Sequence, residues 1–329
     1  MSALSLTSPG DCALTQEYGG GLDALQALYQ KGKRQQWDAE RRIDWSQAID
    51  FERPLTRAGE VGRSPAVLAF QRLAPRAQAE YRRALLGWNL SQFLHGEQGA
   101  MICASKLVQV VPDHATKLFA ATQVIDEARH VEVFARLLAE QVGHLSPIDP
   151  SVKKLLAMAL ASRHWDFVFL GVQVVIESLA MASFSIYRDL YVSPLLKAAC
   201  AYVMEDEARH IAFGRLTLRS LYAELSEPER SEREDFLLET CRLMEGRLYE
   251  QNEVHRRFGL PELDATSPEA RLFHRTLFVR LVPTVRDIGL WSNKVRSAFE
   301  QLGVVKYASL DVTALSEADS RRAQEHDRV

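Results

Sequence analysis

The most informative absences in this 329-residue chain concern cysteine, charge and strand-like alternation. Four cysteines, Cys12, Cys103, Cys200 and Cys241, make no CxxC pair and no Cys/His zinc spacing. Thiols so scattered read as the reduced side chains of a cytoplasmic protein, not as a disulfide framework. A net charge of −3 provides no basic surface for nucleic acid. There is no glycine-rich flavin or nicotinamide fingerprint. The opening MSALSLTSPGDCALT has no basic segment followed by an apolar core, so no secretory leader is expected. Alternating apolar and polar runs bounded by turn residues are nearly absent, which argues against a sheet-based fold. One apolar run is long enough to suggest a membrane span, FVFLGVQVVIESLAMASFSIY from Phe167 to Tyr187. It carries Glu177 at its middle, where a carboxylate is costly in lipid. A helix buried in protein, with a partner for that glutamate, is expected instead.

What the chain does have is helical periodicity, with apolar residues recurring at three and four over long windows. The expected fold class is all-α: a four-helix bundle with additional flanking helices. A short helix from Pro65 stops at Pro75. Long helices then cover 76–110, the stretch from the VPD turn to Gly143, 151–190 and 194–225. Further helices are expected at 229–257, 267–280 and 287–302. Residues 1–20 read as a mobile lead-in, 21–312 as one domain with its bundle at about 76–225, and 313–329 as a charged, frayed tail. The basic run KGKRQQWDAERR (Lys31 to Arg42) reads as a solvated helix face.

One pentapeptide is written twice, in IDEARHVEVF and MEDEARHIAF. Asp126, Glu127, Arg129 and His130 recur 80 positions later as Asp206, Glu207, Arg209 and His210. Two glutamates isolated in apolar stretches, Glu97 and Glu177, keep the same offset, as do Met101 and Met181. The chain therefore offers two equivalent helix pairs, each with one lone Glu and one Glu-x-x-His. Glutamate and histidine at i and i+3 lie on one helical face and reach a common point. Four carboxylates meeting in a dry core would be prohibitive without cations. Two divalent metals balance them, with two neutral imidazoles completing the set. The expected metal ligands are thus Glu97, Glu127, His130, Glu177, Glu207 and His210. Their number and hardness suit two iron ions, and manganese accepts the same ligands. Asp126 and Asp206 are placed to accept from the outer nitrogen of a histidine. Arg129 and Arg209 should point away from the metals, either paired with those aspartates or on the surface.

At these residues the chain resembles ferritin-like di-iron carboxylate proteins of the oxygenase and ribonucleotide-reductase-small-subunit superfamily. Including WDAERRIDWS and LVPTVRDIGLW, it is similar to bacterial ferritin-like proteins grouped with p-aminobenzoate N-oxygenases. The resemblance implies that Asp126 supports His210 and that Asp206 supports His130. It also shows departures. Phe134 stands where ribonucleotide reductase small subunits carry a radical tyrosine, so radical storage of that kind is not expected. Val203 stands where the N-oxygenases have an extra histidine ligand. Ala180 and Met181 replace the threonine of desaturases and methane-type hydroxylases, and the four-cysteine iron site of rubrerythrins is absent.

The expected function is that of a di-iron oxygenase or oxidase, with dioxygen as co-substrate. It would hydroxylate, desaturate, deformylate or N-oxygenate a small or medium organic molecule. The alternatives are a ferroxidase and a dimanganese or di-iron protein that handles peroxide. Residues one turn from the ligands form the expected substrate pocket: Phe93, Met101, Val124, Phe134, Val174, Met181, Val203 and Phe213, nearly all apolar. The repeat sets Gly214 against Phe134; the glycine leaves room for substrate or lets helices pack closely. A separate electron-donor protein is expected as a partner, and the long apolar helices are compatible with a homodimer.

Overall fold

The computed structural model describes residues 12–19, 23–57 and 64–324; most of the expected lead-in and the last five residues lie outside them. Helices α1 (Asp23–Arg34), α2 (Ala39–Arg42) and α3 (Pro65–Phe70) precede the bundle. The bundle consists of α4 (Pro75–Val110), α5 (His114–Leu137) and a helix continuous over Asp166–Leu190, completed by α9 (Pro194–Tyr222). The continuous helix comprises α7 (Asp166–Val168), a π-helical stretch (Phe169–Ile176) and α8 (Glu177–Leu190). Between α5 and α7 lies α6 (Pro150–Ala161). After the bundle come α10 (Glu227–Glu250), α11 (Asn252–Arg257), α12 (Pro268–Asp287), α13 (Asn293–Gln301) and α14 (Val312–Gln324). Among the described residues there is no strand, only an isolated bridge between Thr56 and Tyr191.

Local chemistry sets the joints. Asp113 caps α5 by accepting from the Thr116 N–H at 2.8 Å, so the VPD turn restarts a helix at once. The Ser193-Pro194 and Asp149-Pro150 pairs start α9 and α6 with a capping oxygen followed by a residue whose φ is already helical. At the far end of α5 the helix widens to a π-turn over Leu138–Val142. Gly143, at φ 86°, closes it by donating to the Leu138 carbonyl at 2.8 Å.

Four boundaries differ from the periodicity. The helix expected over 151–190 breaks after Ala161 because buried Lys106 of α4 donates to the Leu160 and Ser162 carbonyls, at 2.6 and 3.1 Å, and so ends α6. The helix expected over 229–257 is interrupted at Gln251. There Asn252 exchanges two hydrogen bonds with the Leu263 backbone. α12 runs past 280 with Pro283 inside it, and α13 begins only at Asn293, capped by Ser292. The described part of the charged C-terminal stretch is helical: α14 packs on α9 and α12, and Arg280 holds buried Asp319 at 2.9 and 3.0 Å.

The apolar core lies in two layers along the bundle axis. One holds Phe119, Phe169, Val174 and Phe213; the other holds Phe93, Phe134, Phe184 and Val203. On every bundle helix the repeated carboxylates fall in sequence between the two layers. Each buried aromatic contributes roughly 1.5–3 kcal/mol, which clamps the helices around a polar centre. The run Asp166–Leu190 has the length and hydropathy of a membrane span, yet 94% of its apolar window is buried in the bundle.

Candidate metal centre

Six side chains from four helices converge between the apolar layers. Glu97 comes from α4, Glu127 and His130 from α5, Glu177 from the first turn of α8, and Glu207 and His210 from α9. All are buried. Ligand-capable atoms of Glu97, Glu127, His130 and Glu207 lie within 4.8 Å of one another, and so do those of Glu127, Glu177, Glu207 and His210. Glu127 and Glu207 belong to both groups. The geometry is that of two adjacent ion sites sharing two carboxylates, with Glu97 and His130 on one ion and Glu177 and His210 on the other.

The nitrogen geometry fits metals. His130 Nε2 sits 3.0 Å from Asp206 Oδ2, and His210 Nε2 sits 3.3 Å from Asp126 Oδ2. A carboxylate only accepts, so each Nε2 carries the hydrogen and donates it. With metal bound, each Nδ1 would turn a lone pair inward. For His130 the facing oxygens belong to Glu97 and Glu127, both at 3.2 Å, and to Glu207 at 3.0 Å. For His210 they belong to Glu127 at 3.2 Å and Glu207 at 3.1 Å. Lone pairs brought this close need a cation between them. Glu207 Oε1 is buried without a hydrogen-bond donor, as expected of an oxygen shaped for an ion.

Without metal, protons stand in for the ions: burial opposes charging the imidazoles, but the surrounding Asp and Glu carboxylates hold His130 and His210 well above the ordinary histidine range. Burial, reinforced by the charge of Glu207, holds the Glu97 and Glu177 carboxyls well above the usual range. For Glu127 and Glu207 burial also pushes upward, but His210 and the hydrogen bonds around them win and the pair is held low. Without metal, the two unshared glutamates keep protons where ions would sit.

The outer layer is a closed network. Arg129 Nη2 donates to Asp126 at 2.5 Å and to Asp206 at 3.1 Å; Arg209 Nη2 donates to Asp126 at 3.2 Å and also to Asp206. Both arginines are buried against these aspartates rather than exposed. Two anions and two cations thus fix both histidine rings. Sequence reading missed two members. Gln36 Nε2 donates to Asp126 at 2.7 Å, and Trp37 Nε1 donates to Asp206 at 2.9 Å. They lie within the basic run expected to be a solvated face. Periodicity could not find them, because they occupy the turn between α1 and α2. Gln123 was also missed, although its place four residues before Glu127 was a usable signal. Its Nε2 donates to Glu127 at 3.0 Å and to Glu177 at 3.4 Å, and Gln173 Nε2 donates to Gln123 at 3.3 Å.

The expected substrate pocket needs correction. A cavity of about 30 Å³, opening into a cleft of about 450 Å³ that includes solvent, touches Glu97 and Glu177. Of the expected lining only Phe93 takes part. Phe134, Met181 and Val203 pack in the layer around Phe93. Val174 and Phe213 pack in the opposite layer, with Phe213 4.3 Å from the Phe119 ring. Met101 and Val124 are partly exposed outside it. Gly214 leaves no room for substrate: a Cβ there would lie 2.5 Å from Gln173 Cβ, so the glycine serves close helix contact.

Fold and site define a ferritin-like helical bundle whose core presents a dinuclear carboxylate–imidazole centre. A model of the family described as p-aminobenzoate N-oxygenase AurF matches residues 22–289, and the chain belongs to that family. Family and site together make it an oxidoreductase. Among solved structures, variants of an R2-like ligand-binding oxidase share the fold. One with an aerobically reconstituted Mn/Fe cofactor has a TM-score of 0.56 at 19% identity, covering 81% of this chain and 94% of the other. Another with an Fe/Fe cofactor has a TM-score of 0.53 at 20% identity over the same shares. No curated protein matches the chain.

Proposed function

We propose that the protein uses two bound metal ions and dioxygen to oxidise a small organic molecule with a largely apolar body. The observation that carries this reading is the pair of overlapping four-residue groups sharing Glu127 and Glu207. When bound by these residues, an iron pair, or iron with manganese, would supply the chemistry that reduces dioxygen. The protein's own residues hold and orient the centre. Glu127 and Glu207 set the spacing between ions, while Asp126 and Asp206 keep the histidine tautomers that leave each Nδ1 free. Arg129 and Arg209 neutralise the aspartates, and Gln123 holds the carboxylates of Glu127 and Glu177. Phe93, Ala100, Ile176, Leu179 and Phe184 give the cavity beside Glu97 and Glu177 an apolar wall that excludes water and suits an organic body. Val203, where the N-oxygenases carry a further histidine, is fully buried among apolar side chains. That difference separates this site from chemistry that depends on the extra ligand. Electrons for turnover come from a separate donor protein.

Anaerobic addition of ferrous iron, metal counting and oxygen-electrode traces test the reading. About two irons per chain and oxygen uptake on mixing, both lost in Glu127→Ala, are expected. Metal binding without oxygen uptake would move the protein to peroxide handling. Growth of an iron mineral in a large shell would make it a ferroxidase. Failure to bind metal ends the proposal.

A further inference from the structure

Two buried oxygens on facing helices have no hydrogen-bond partner among the described residues: Gln173 Oε1, on the π-helical stretch, and Thr217 Oγ1, on α9. Both side chains depart from the habit of their neighbours. The buried hydroxyls of Thr122, Ser178, Thr240 and Thr284 each donate to a carbonyl three or four residues earlier, at 2.6–2.9 Å. The buried amides of Gln92 and Gln123 use both of their ends. The orientation of the amides is set from the metal centre outward. Carboxylates only accept, so Gln123 turns Nε2 to Glu127 and Glu177 and Oε1 to Gln173 Nε2. That leaves Gln173 Oε1 on the far side of its amide, without a donor. A buried oxygen in this position is costly unless an internal water completes it.

The spacing of the two oxygens suits one water. A turn of three residues, 191–193, joins the continuous helix to α9, so the two run antiparallel. Gln173 packs on Gly214, and the Phe169 ring meets Phe213 at 4.9 Å. Thr217 lies three residues past Gly214 on the same face of α9, displaced along the axis by roughly 5 Å. A water making two hydrogen bonds of about 2.8 Å spans a similar length. Thr217, 8% exposed, is the outer member, and Gln173 is fully buried.

The chain that begins there serves one ion. Gln123 Nε2 donates to Glu177 Oε1 and to Glu127 Oε1, the oxygen 3.2 Å from His210 Nδ1. Glu127 Oε2 faces His130 instead. In the second half Val203 stands four residues before Glu207, where the first half has Gln123, and supplies no donor.

We infer that Gln173 Oε1 and Thr217 Oγ1 hold an internal water, and that this water anchors an amide chain strengthening only the ion at Glu177 and His210. The inference rests on the dinuclear reading above. The water donates one hydrogen to Gln173 Oε1 and accepts one from the Thr217 hydroxyl. Hydrogen bonds in series polarise one another, so an anchored Gln173 makes Gln123 a firmer donor to both carboxylates. The chain also keeps Glu127 Oε1 and Glu177 Oε1 turned toward the same ion. Thr217 and Gln173 are positioning residues, acting on the metal through Gln123.

Diffraction from metal-free crystals of wild type, T217V and T217S tests the water site. Water within hydrogen-bond distance of both oxygens is expected in wild type and T217S. It should be gone from T217V, which keeps the shape of threonine without the hydroxyl. Calorimetric titration with manganous ion tests the consequence in two backgrounds. E97A leaves the ion at Glu177 and His210, and E177A leaves the ion at Glu97 and His130. T217V should weaken binding about threefold in the first background and leave the second unchanged. Q173L should weaken the first about fivefold, and T217S should match threonine. A Thr217 hydroxyl bonded to the Phe213 carbonyl with no water overturns the inference. Equal losses in both backgrounds, or none in either, overturn it too. If Q173L does not fold, T217V and T217S decide. Failure of the wild type to bind manganous ion would refute the dinuclear reading instead, and diffraction then decides the water site by itself.

Discussion

The two halves of the repeat agree at every residue facing the metals and diverge in the layer beside them. Phe93, Gln123 and Phe134 in the first half correspond to Gln173, Val203 and Gly214 in the second. The structure sorts these six by end of the site. Phe93 lies 5.3 Å from Phe134 and 4.8 Å from Phe184, with Val203 in the same apolar layer. At the other end Gln173 packs on Gly214 and donates to Gln123, which donates to Glu127 and Glu177. A nearly symmetric ligand set therefore sits in an unsymmetric medium: aromatic side chains pack at both ends, but the amide donors Gln123 and Gln173 stand at only one. The ligands repeat because both ions need the same charge. Their neighbours are under no such demand, and their difference gives the two ions unequal surroundings.

The comparison breaks most visibly at the shared carboxylates. Glu127→Ala should empty both sites, whereas Glu97→Ala or Glu177→Ala should leave about one of two ions, as metal counting would show. Asp206→Asn comes next. It removes the anion shared by His130, Arg129, Arg209 and Trp37. Metal affinity should fall roughly 10–100-fold, and urea midpoints should report a loss of about 3–5 kcal/mol.

A pH effect follows in size. Glu97 and Glu177 have raised folded-state pKa values and hold protons in the metal-free protein. Metal must displace those protons, so affinity rises with pH by about tenfold per unit for each proton released. An indicator dye should register proton release on metal addition near neutrality; none would contradict the assignment. Gly214→Ala places a Cβ against Gln173 and should cost about 1–3 kcal/mol in urea unfolding. The smallest change, Gln123→Val, copies the second half's residue into the first. It should weaken metal binding by about 1 kcal/mol, or about fivefold, and an unchanged affinity would deny the glutamine end a role at the metals.

Much of this was legible in order along the chain. The 80-residue offset and the i, i+3 pairs named the six converging residues, because helical spacing places such side chains on one face whatever surrounds them. That Asp126 serves His210 and Asp206 serves His130 was implied by the resemblance alone, because each aspartate reaches a histidine on another helix. The substrate cavity was not. Counting one turn from each ligand selected Phe213 and Val174, but the direction of a side chain depends on which neighbouring helix fills the space. Gln36 and Trp37 were hidden because a turn has no period.

The sequence by itself determined an all-helical bundle, a doubled set of carboxylates and imidazoles, and the need for cations to hold them, since charge and helical spacing are local properties. Only the tertiary structure decided that Glu127 and Glu207 are shared, that Gly214 is packed shut, and where the cavity beside Glu97 and Glu177 lies. Those outcomes depend on distances between helices, and interhelical packing is set by the whole molecule at once.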